Sequence, residues 1–253
     1  MSTYKDAGVD IDAGDRAVEL MKASIAKASR KEVIGGIGGF AGLFDASAMK
    51  SMQQPLLATS TDGVGTKTEI ARILGKYDTI GEDLVAMVVD DLVVCGAEPL
   101  FMTDYIAVGK VIPERIAAIV GGIARGCEKA GTALVGGETA EHPGLLGEDE
   151  FDIAGAATGD VDAHLQLGAH RVKSGDLLIA MPASGIHANG FSLVRHILAT
   201  HKIDITAHNA EFGRTLGEVL LTPTEIYALD CLALIRSLKE NLRTFSHITG
   251  GGL

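Results

Sequence analysis

The spacing of apolar residues divides the first half of the chain into alternating helices and strands. Between residues 15 and 29, apolar positions recur at intervals of three and four, which is the pattern of one buried helix face. Asp12 or Asp15 is expected to cap this helix. Pro113 and Gly131 are typical of a helix start and a helix end. We predict helices over residues 15–29, 66–74, 79–95 and 113–130.

Shorter apolar runs lie between these helices and predict strands. They are too short for helices of ordinary length, and turn-forming residues bound them. Alternating helices and strands indicate a layered α/β or α+β fold. The predicted strands are residues 56–60, 100–108, 132–135 and 151–159.

A change of composition between residues 160 and 175 indicates a junction between two domains, because this stretch is polar and contains several glycines and histidines. After it we predict a strand over residues 176–181, a helix over residues 190–198 and a further helix after Pro223. The sequence ends on three glycines where a new element is expected, so we expect the second domain to be incomplete. The predicted domains are residues 1–165 and residues 166–253.

Charge and composition argue against a nucleic-acid or membrane-surface function. The formal net charge is −11, whereas nucleic acids and anionic membranes attract basic surfaces. Aromatic residues make up only 4% of the chain and Trp is absent, so unpaired bases would find few stacking partners. A small phosphorylated substrate remains compatible with this charge, because a divalent metal and a few cations can reverse the field inside a cleft.

Cysteine usage and the first residues of the chain indicate a cytoplasmic protein. Cys95, Cys127 and Cys231 are far apart and odd in number, which predicts neither a disulfide framework nor a structural zinc site. The N-terminus lacks the basic and apolar pattern of a signal peptide. No apolar run approaches the roughly 18 residues that would span a bilayer.

Glycine is abundant and clustered. The chain contains 32 glycines, close to twice the usual share of about 7%, and a dense group lies at residues 35–42. Because glycine has a high entropic cost in helices and strands, we predict a mobile loop there. This loop could fold over nucleotide phosphates or simply link two elements.

An apolar strand runs into Asp62, Gly63, Gly65, Thr66 and Lys67, which are the ingredients of a phosphate site. Glycines let backbone N–H groups approach an oxyanion, and a following helix points its positive end at it. The spacing is not that of a Walker A loop. The functional interpretation gives Asp62 a metal and Lys67 a phosphate, and the alternative is an ordinary turn between a strand and a helix.

Two adjacent carboxylates, Asp90 and Asp91, interrupt the apolar helix at residues 79–95. Neighbours on a helix point about 100° apart, so at least one carboxylate is expected to face inward. A buried carboxylate needs compensation, and Mg²⁺ shared with phosphate oxygens is one possibility. The alternative is that one Asp faces solvent while the other caps a neighbouring element. Both interpretations stay open.

Two further segments carry candidate chemistry. Glu138 follows a predicted strand in a short acidic loop, a place where ligands gather in layered α/β folds, although a solvated acidic turn is the simpler interpretation. His187 and Asn189 lie between a predicted strand and a predicted helix. The imidazole could move a proton near neutral pH, whereas a single loop histidine is more often inert.

The order of these motifs closely resembles that of the AIR synthetases, the phosphoribosylformylglycinamidine cyclo-ligases of purine biosynthesis. The likeness covers essentially the whole chain. Two features depart from the family pattern: His142 stands where Met is usual, and the family continues beyond the three glycines. The motifs are residues 4–10, 36–40, 61–67, 79–81, 91–101, 136–141, 184–192 and 247–252.

The resemblance implies what the protein does. It implies ATP-dependent ring closure of formylglycinamidine ribonucleotide to aminoimidazole ribonucleotide, with release of ADP and phosphate and with Mg²⁺ as cofactor. In this family the formyl oxygen is activated by phosphoryl transfer, and an amidine nitrogen then closes the ring. The resemblance also implies a homodimer whose N-terminal, ATP-binding domains join their sheets at the interface.

Site residues follow from the resemblance by position. Asp91 is preferred over Asp90 as a metal ligand, because the family can have Asn at the position of Asp90. The implied catalytic residues are His187, Lys22 and Glu138, and the implied metal ligands are Asp62 and Asp91. The implied nucleotide-binding residues are Gly36, Gly38, Gly39, Phe40, Asp62, Gly63, Gly65, Thr66, Lys67 and Asn189.

Two alternatives remain. Selenophosphate synthetase and thiamine-phosphate kinase share the ATP-binding architecture, but the first would carry a reactive cysteine near its N-terminus, whereas the first cysteine here is Cys95 inside an apolar helix. The other alternative is a catalytically inactive, dimerising nucleotide-binding module.

Overall fold

The computed structural model describes residues 8–36 and 39–252. The helices predicted over residues 66–74, 79–95 and 113–130 are confirmed to within one residue at each end. The helices are α1 (Ile11–Lys27), α2 (Lys67–Leu74), α3 (Ile80–Val94), α4 (Pro113–Ala130), α5 (Phe191–Thr200), α6 (Leu216–Leu220) and α7 (Ala228–Leu238). The strands are β1 (Val33–Ile34), β2 (Leu43–Phe44), β3 (Pro55–Gly63), β4 (Glu98–Val108), β5 (Ala133–Glu141), β6 (Phe151–Asp162), β7 (His208–Asn209) and β8 (Arg214–Thr215).

A four-stranded sheet in the order β3-β6-β4-β5 forms the centre of the N-terminal part. β4 and β5 run parallel, while β6 is antiparallel to both of its neighbours. α3 and α4 cover one face of the sheet and bury most of their apolar side chains there. Glycine permits their close approach, because a Cβ on Gly81 would lie 2.3 Å from the backbone nitrogen of Ile123.

The other face of this sheet is open in the single chain. Exposure alternates along β3, and Leu57 on the open side is 68% exposed. Thr59 and Thr61 follow on the same side of β3, and Thr103 and Tyr105 lie exposed on β4. An exposed sheet face that carries leucine and tyrosine is a candidate interface.

Two predicted boundaries in the N-terminal part were wrong. α1 is capped by Asp10, whose side chain accepts the backbone N–H of Ala13, and not by Asp12 or Asp15. The strand predicted over residues 132–135 continues to Glu141 as β5, because β4 offers a parallel partner along that whole length.

The strand predicted over residues 176–181 is also wrong, since the structure has no strand there. Leu177, Leu178 and Ile179 are 91%, 80% and 82% exposed. A strand needs a hydrogen-bonded neighbour, and within residues 8–36 and 39–252 none pairs with this segment. An apolar run therefore does not become a strand here.

The remainder of the second domain contains α5, α6, α7 and the short antiparallel pair β7 and β8. The helices predicted over residues 190–198 and after Pro223 correspond to α5 and α7. Phe191, Cys231 and Leu232 join the same hydrophobic core as α3 and α4. Over the described ranges, no helix is both long enough and apolar enough to cross a membrane.

Candidate functional site

Asp91 lies where β3 meets α3, and two side chains hold its carboxylate. Ser60 Oγ donates a hydrogen bond to Asp91 Oδ2 at 3.3 Å, and His247 Nδ1 lies 2.9 Å from Asp91 Oδ1. Asp62 follows Ser60 by two residues on β3, so both side chains lie on one side of the strand with their Cα atoms about 7 Å apart. We call Ser60, Asp62, Asp91 and His247 the Asp91 corner.

Asp90 faces the opposite way from Asp91 and is buried. Its carboxylate accepts the backbone N–H of Tyr227 at 3.1 Å, which places it at the N-terminus of α7. Burial, opposed by the hydrogen bond from the Tyr227 N–H and assisted by the charges of Asp91 and Glu225, raises the pKa of Asp90 to about 7. The alternative stated for the pair is therefore the observed arrangement: one carboxylate caps a neighbouring helix and the other is exposed.

The Asp91 corner fits a magnesium ion that is completed by phosphate. Throughout the described part of the chain, no three His, Cys, Asp or Glu side chains gather into a closed metal cage. Mg²⁺ commonly takes one or two protein carboxylates and fills its other positions with water and phosphate oxygens. Asp62 and Asp91 supply such a pair, and both remain accessible to solvent.

Lys67 does not lie where a phosphate could reach it. Its side chain is fully buried, and its ammonium group donates to Asp83 Oδ1 at 2.9 Å and to the carbonyl oxygens of His187 and Thr222, each at 2.8 Å. Burial lowers the pKa of Lys67, and the charge of Asp83 opposes that shift. The expected phosphate contact is not made from this position, because the three ammonium protons are donated inside the protein.

His187 lies half-buried with a left-handed backbone, at φ +58°. Its Nε2 accepts the backbone N–H of Ser184 at 3.2 Å, so the neutral ring carries its proton on Nδ1. Burial lowers the pKa of His187, and the charges of Lys67 and His247 lower it further, while Glu225 acts in the other direction. The imidazole is therefore neutral at pH 7 and presents Nδ1–H as a donor.

The segment at residues 184–190, which contains His187, is called the histidine loop below. The other residues expected at the β3–α2 turn lie beside it. Gly65 adopts φ +66°, which explains the glycine, and Thr66 Oγ1 is 3.2 Å from Ser192 Oγ at the start of α5. Gly63 is closely packed, since a Cβ there would lie 3.1 Å from the carbonyl oxygen of Ile153. Asn189 Nδ2 contacts the sulfur of Met87 at 3.6 Å. The turn and the histidine loop thus adjoin one another.

Glu138 lies at the opposite edge of the sheet from the Asp91 corner. β3 and β5 are the two edge strands, so three strand spacings, about 14 Å, separate them. Glu138 is inside β5, opposite Tyr105 on β4, and not in a loop after the strand. A single chain therefore does not bring Glu138 together with Asp62 and Asp91.

A cavity of about 250 Å³ opens beside β5, and we call it the edge cavity. Its walls are mostly apolar and come from α1 and α4, including Met21, Ile25 and Val120. Asp104 supplies a carboxyl group, and β5 supplies the backbone of residues 134–139 along the free edge of the sheet. Gly137 makes room for this carboxyl, because a Cβ there would lie 2.1 Å from Asp104 Oδ1.

Asp104 is held in an environment that favours its protonated form. Burial raises the pKa of Asp104 from 3.8 to about 7, although the backbone N–H of Glu138 acts in the other direction. The folded protein thus keeps this proton up to near-neutral pH, whereas the unfolded chain loses it near pH 4. The free energy of unfolding should fall as pH rises from about 4 to about 7.

We expect Asp104→Asn to remove this fall in the free energy of unfolding with rising pH. At pH 8 the variant should be more stable than the parent by on the order of 4 kcal/mol, and at pH 4 the two should be similar. Urea unfolding at both pH values measures the difference. The exposed Asp15→Asn on α1 serves as control and should change neither value. An equal gain at both pH values would contradict the assignment.

The remaining expected residues lie near β5 or beyond the described ranges. Lys22 is exposed on α1 and pairs with Glu19 of the same helix, next to the edge cavity. Gly36, Gly39 and Phe40 are exposed and lie in a segment without helix or strand, while Gly38 lies outside the described residues. We call the glycine-rich segment that ends at Gly42 the glycine loop. Gly42 packs on β5, since a Cβ on it would lie 2.6 Å from the carbonyl oxygen of Val135.

Sequence reasoning missed several residues at these sites. Ser60 and His247 contact Asp91. The only local signals were that Ser60 ends a predicted strand and that His247 lies just before the three glycines. Asp104 lies in an apolar strand, and a charge in such a run was the available signal. Asp83 and Thr224, which bond each other, are separated by 141 positions, so no local pattern could have paired them.

Two family models match the chain. They are the AIR synthase related protein N-terminal domain, over residues 44–161, and the AIR synthase related protein C-terminal domain, over residues 173–253. A phosphoribosylformylglycinamidine cyclo-ligase of Desulfitobacterium hafniense (strain DSM 10664 / DCB-2) is 53% identical over 252 residues, which cover 99% of this chain and 73% of that relative. Another, of Geobacillus kaustophilus (strain HTA426), is 52% identical over 253 residues, covering 99% of this chain and 72% of that relative.

A solved structure shares the fold. The thiamine-monophosphate kinase from Stenotrophomonas maltophilia K279a matches with a TM-score of 0.54 at 18% identity, and the match covers 92% of this chain and 65% of that one. At this identity the likeness shows the fold alone. Together with the two family models, it confirms the predicted α/β class, with an N-terminal domain followed by a C-terminal one.

Proposed function

This chain belongs to the phosphoribosylformylglycinamidine cyclo-ligase family, a family of ATP-dependent ligases in purine biosynthesis, and from this premise we propose how its residues carry out the reaction. The observation that carries the proposal is the Asp91 corner beside the histidine loop. It offers two carboxylates and the His247 imidazole at one accessible place, and His187 is close enough for the charge of His247 to lower its pKa.

Asp62 and Asp91 are the residues that would hold Mg²⁺. When bound, Mg²⁺ neutralises phosphate charge and orients the triphosphate for in-line transfer. Ser60 and His247 hold the Asp91 carboxylate in place, which limits the reorganisation needed when nucleotide binds. The phosphate oxygens and water would supply the remaining ligands.

The reaction has two balanced steps. The formyl oxygen of formylglycinamidine ribonucleotide attacks the γ-phosphorus of ATP, and the bond from that phosphorus to the ADP oxygen breaks. An amidine nitrogen then attacks the former formyl carbon, the carbon–oxygen bond breaks, phosphate leaves and the ring nitrogen loses its proton. Phosphorylation is needed because an amide oxygen is otherwise a poor leaving group.

We propose that His187 assists the loss of the ring-nitrogen proton and stabilises the charge that develops on oxygen. Its neutral ring presents Nδ1–H, which can donate a hydrogen bond to an oxygen as charge develops on it. Accepting the amidine proton at Nε2 would require the hydrogen bond from Ser184 to open. Asn189, half-buried in the same loop, is placed to bind a polar group of the substrate.

The edge cavity has the chemistry of a nucleotide-base pocket. Apolar walls accept a flat ring, while the Asp104 carboxyl and the free edge of β5 offer hydrogen-bonding partners to its rim. Lys22 and Glu138 lie at this side of the sheet and are proposed to contact substrate there. The glycine loop, which ends against Val135, is proposed to order over bound ATP.

A homodimer through the open sheet face would bring the two half-sites to the same edge of the assembly. With a two-fold axis parallel to the strands, the β3 edge of one subunit lies over the β5 edge of its partner. The Asp91 corner and the partner's edge cavity would then lie on the outer sides of two sheets packed about 10 Å apart, because both sites are on the helix-covered face of their own sheet.

Leu57→Asp should disrupt this dimer. A carboxylate placed on the 68% exposed Leu57 would have to be desolvated in the interface, so we expect at least a tenfold weaker dimer. Sedimentation equilibrium gives the dissociation constant. Leu145→Asp, at a 76% exposed position away from the sheet, is the matched control. A parent that is monomeric, or a dimer indifferent to Leu57→Asp, would rule out this interface.

The division into residues 1–165 and 166–253 remains our proposal, as does a cytoplasmic location. The two family models support the division, because the first ends at residue 161 and the second begins at residue 173. Free thiols at Cys95, Cys127 and Cys231 are in keeping with a reducing compartment.

One assay tests the function as a whole. The protein is mixed with ATP, Mg²⁺ and formylglycinamidine ribonucleotide, and both ADP and aminoimidazole ribonucleotide are followed. We expect equal amounts of the two products. ADP without the aminoimidazole would exclude ring closure, and ATP binding with neither product would favour the alternative of an inactive nucleotide-binding module.

A further inference from the structure

The most deeply buried charges in the described chain form a cluster that the reaction does not use. Lys67 and Asp83 are both 0% exposed at their side chains, and Lys67 Nζ lies 2.9 Å from Asp83 Oδ1. Asp83 Oδ1 also accepts the backbone N–H of Thr224 at 2.8 Å and its hydroxyl at 2.6 Å. We call Lys67, Asp83 and Thr224 the Lys67 clasp.

The clasp ties three distant segments to one point. The ammonium group of Lys67, at the start of α2, holds the carbonyl oxygens of His187 and Thr222, while Asp83 in α3 holds Thr224. The ring of Phe191 lies 5.5 Å from the same ammonium nitrogen and closes the cluster. The histidine loop and the segment before α7 are thus both fastened to the N-terminal core.

The position of the clasp matters because of the backbone at His187. A non-glycine residue at φ +58° is disfavoured and persists where its surroundings hold it. Lys67 binds the carbonyl of that same residue. The imidazole in turn accepts the N–H groups of Ser184 at 3.2 Å and Glu225 at 3.5 Å, and Glu225 directly follows Thr224.

We propose that the Lys67 clasp is a positioning device: it fixes the left-handed turn at His187 and thereby holds the imidazole in its place beside the Asp91 corner. A buried ion pair of this kind is a weak source of stability, because desolvation offsets most of the attraction. It does impose one geometry, since Lys67 loses its partners if either segment moves.

A structural role alone would predict a different outcome on removal of the clasp. If the cluster only joined two units, its replacement would change stability and, through the lost Lys67 charge, the pKa of His187, but it would leave kcat unaltered. If it positions His187, the imidazole environment and kcat change together. The charged groups that face the ring are Lys67, His247 and Glu225, and the first of these is part of the clasp.

The test replaces both buried charges with apolar groups of similar size. Lys67→Met combined with Asp83→Leu leaves no unpaired charge, but the Thr224 donors and the His187 and Thr222 carbonyl groups lose their partners, so the variant should fold with reduced stability. We expect kcat to fall at least 30-fold with less than a threefold change in the KM for ATP. The pKa of His187, followed by NMR of its ring, should rise toward its ordinary value. The exposed pair Lys110→Met and Glu148→Leu is the matched control.

A second pair of variants covers a failure to fold. Thr224→Val removes only the hydroxyl donated to Asp83, and Thr224→Ser restores it. We expect the first to lower kcat and raise the pKa of His187, and the second to recover both. A folded Thr224→Val variant, or a folded Lys67→Met and Asp83→Leu variant, with kcat equal to that of the parent would overturn the proposal.

The kinetic readout rests on the function proposed above, but the titration does not. If the parent makes no product while the His187 titration still changes in Thr224→Val and returns in Thr224→Ser, the proposed function fails and the positioning role stands. If the parent is active and the titration is unmoved, the positioning role alone fails.

Discussion

Asp91→Asn is expected to lower kcat/KM for ATP by on the order of 100-fold, the largest effect among the variants considered. Asparagine matches aspartate in shape and can still bond Ser60 and His247, so the corner keeps its geometry. It loses the negative charge that a divalent ion requires, and the phosphates would then be bound without their counter-ion. Mg²⁺ titrations of nucleotide affinity and steady-state kinetics measure the two consequences.

The adjacent Asp90→Asn is the control for this variant. Its carboxylate points into the protein and accepts the backbone N–H of Tyr227, a role that the amide oxygen of asparagine can fill. Turnover should therefore stay within about threefold of the parent. Nucleotide binding that remains fully responsive to Mg²⁺ in Asp91→Asn would refute the metal assignment, and so would equal losses in the two variants.

Gly137→Ala is expected to weaken ATP binding at least tenfold. The added Cβ would lie 2.1 Å from Asp104 Oδ1, so the carboxyl must leave its place at the floor of the edge cavity. Because one tenfold step in affinity corresponds to about 1.4 kcal/mol, the loss of one well-placed polar partner is sufficient. Isothermal titration with a non-hydrolysable ATP analogue gives the affinity.

The neighbouring Gly136→Ala is a close control, since a Cβ there would meet only the Thr103 Cγ2 atom at 3.9 Å. It should bind the analogue as the parent does. If both variants bind normally, the edge cavity is not the base pocket. If both lose affinity equally, the strand and not the Asp104 carboxyl is the sensitive feature.

Mixing the Asp91→Asn and Gly137→Ala variants, at an ATP concentration where each alone has little activity, distinguishes a shared site from a site within one chain. In a mixed dimer of Asp91→Asn and Gly137→Ala subunits, a shared site would combine both defects in one place and leave the other site intact. With random exchange, half of the dimers are mixed, so about a quarter of the parent activity should return. No recovery would mean that each chain builds its own site.

Local signals in the sequence were sufficient for the N-terminal elements. Apolar spacing, Pro113 and Gly131 located α4 to the residue, and the long apolar run located α3. These features succeed because helix formation depends on neighbours within a few positions. The strand predicted at residues 176–181 was wrong for the converse reason. A strand requires a hydrogen-bonded partner strand, and that partner need not be near it in the sequence.

The candidate site divides in the same manner. Asp62, Asp91, His187 and Asn189 could be named from motifs because a family pattern repeats their order along the chain. Lys67 carried the same signal, yet the fold buries it against Asp83 and uses it to hold two loops. The position of a lysine is known from the sequence, but its partners depend on which groups the tertiary structure brings within hydrogen-bonding distance.

The amino-acid sequence by itself determined the fold class, the main helices, the family and the candidate chemistry, because each depends on residue types at short or repeated spacings. The tertiary structure alone decided that Asp90 caps a helix while Asp91 meets Ser60 and His247. It also decided that Asp104 borders a cavity and that Lys67 is a buried clasp. These outcomes depend on burial and on contacts between segments far apart in the chain, which no local pattern encodes.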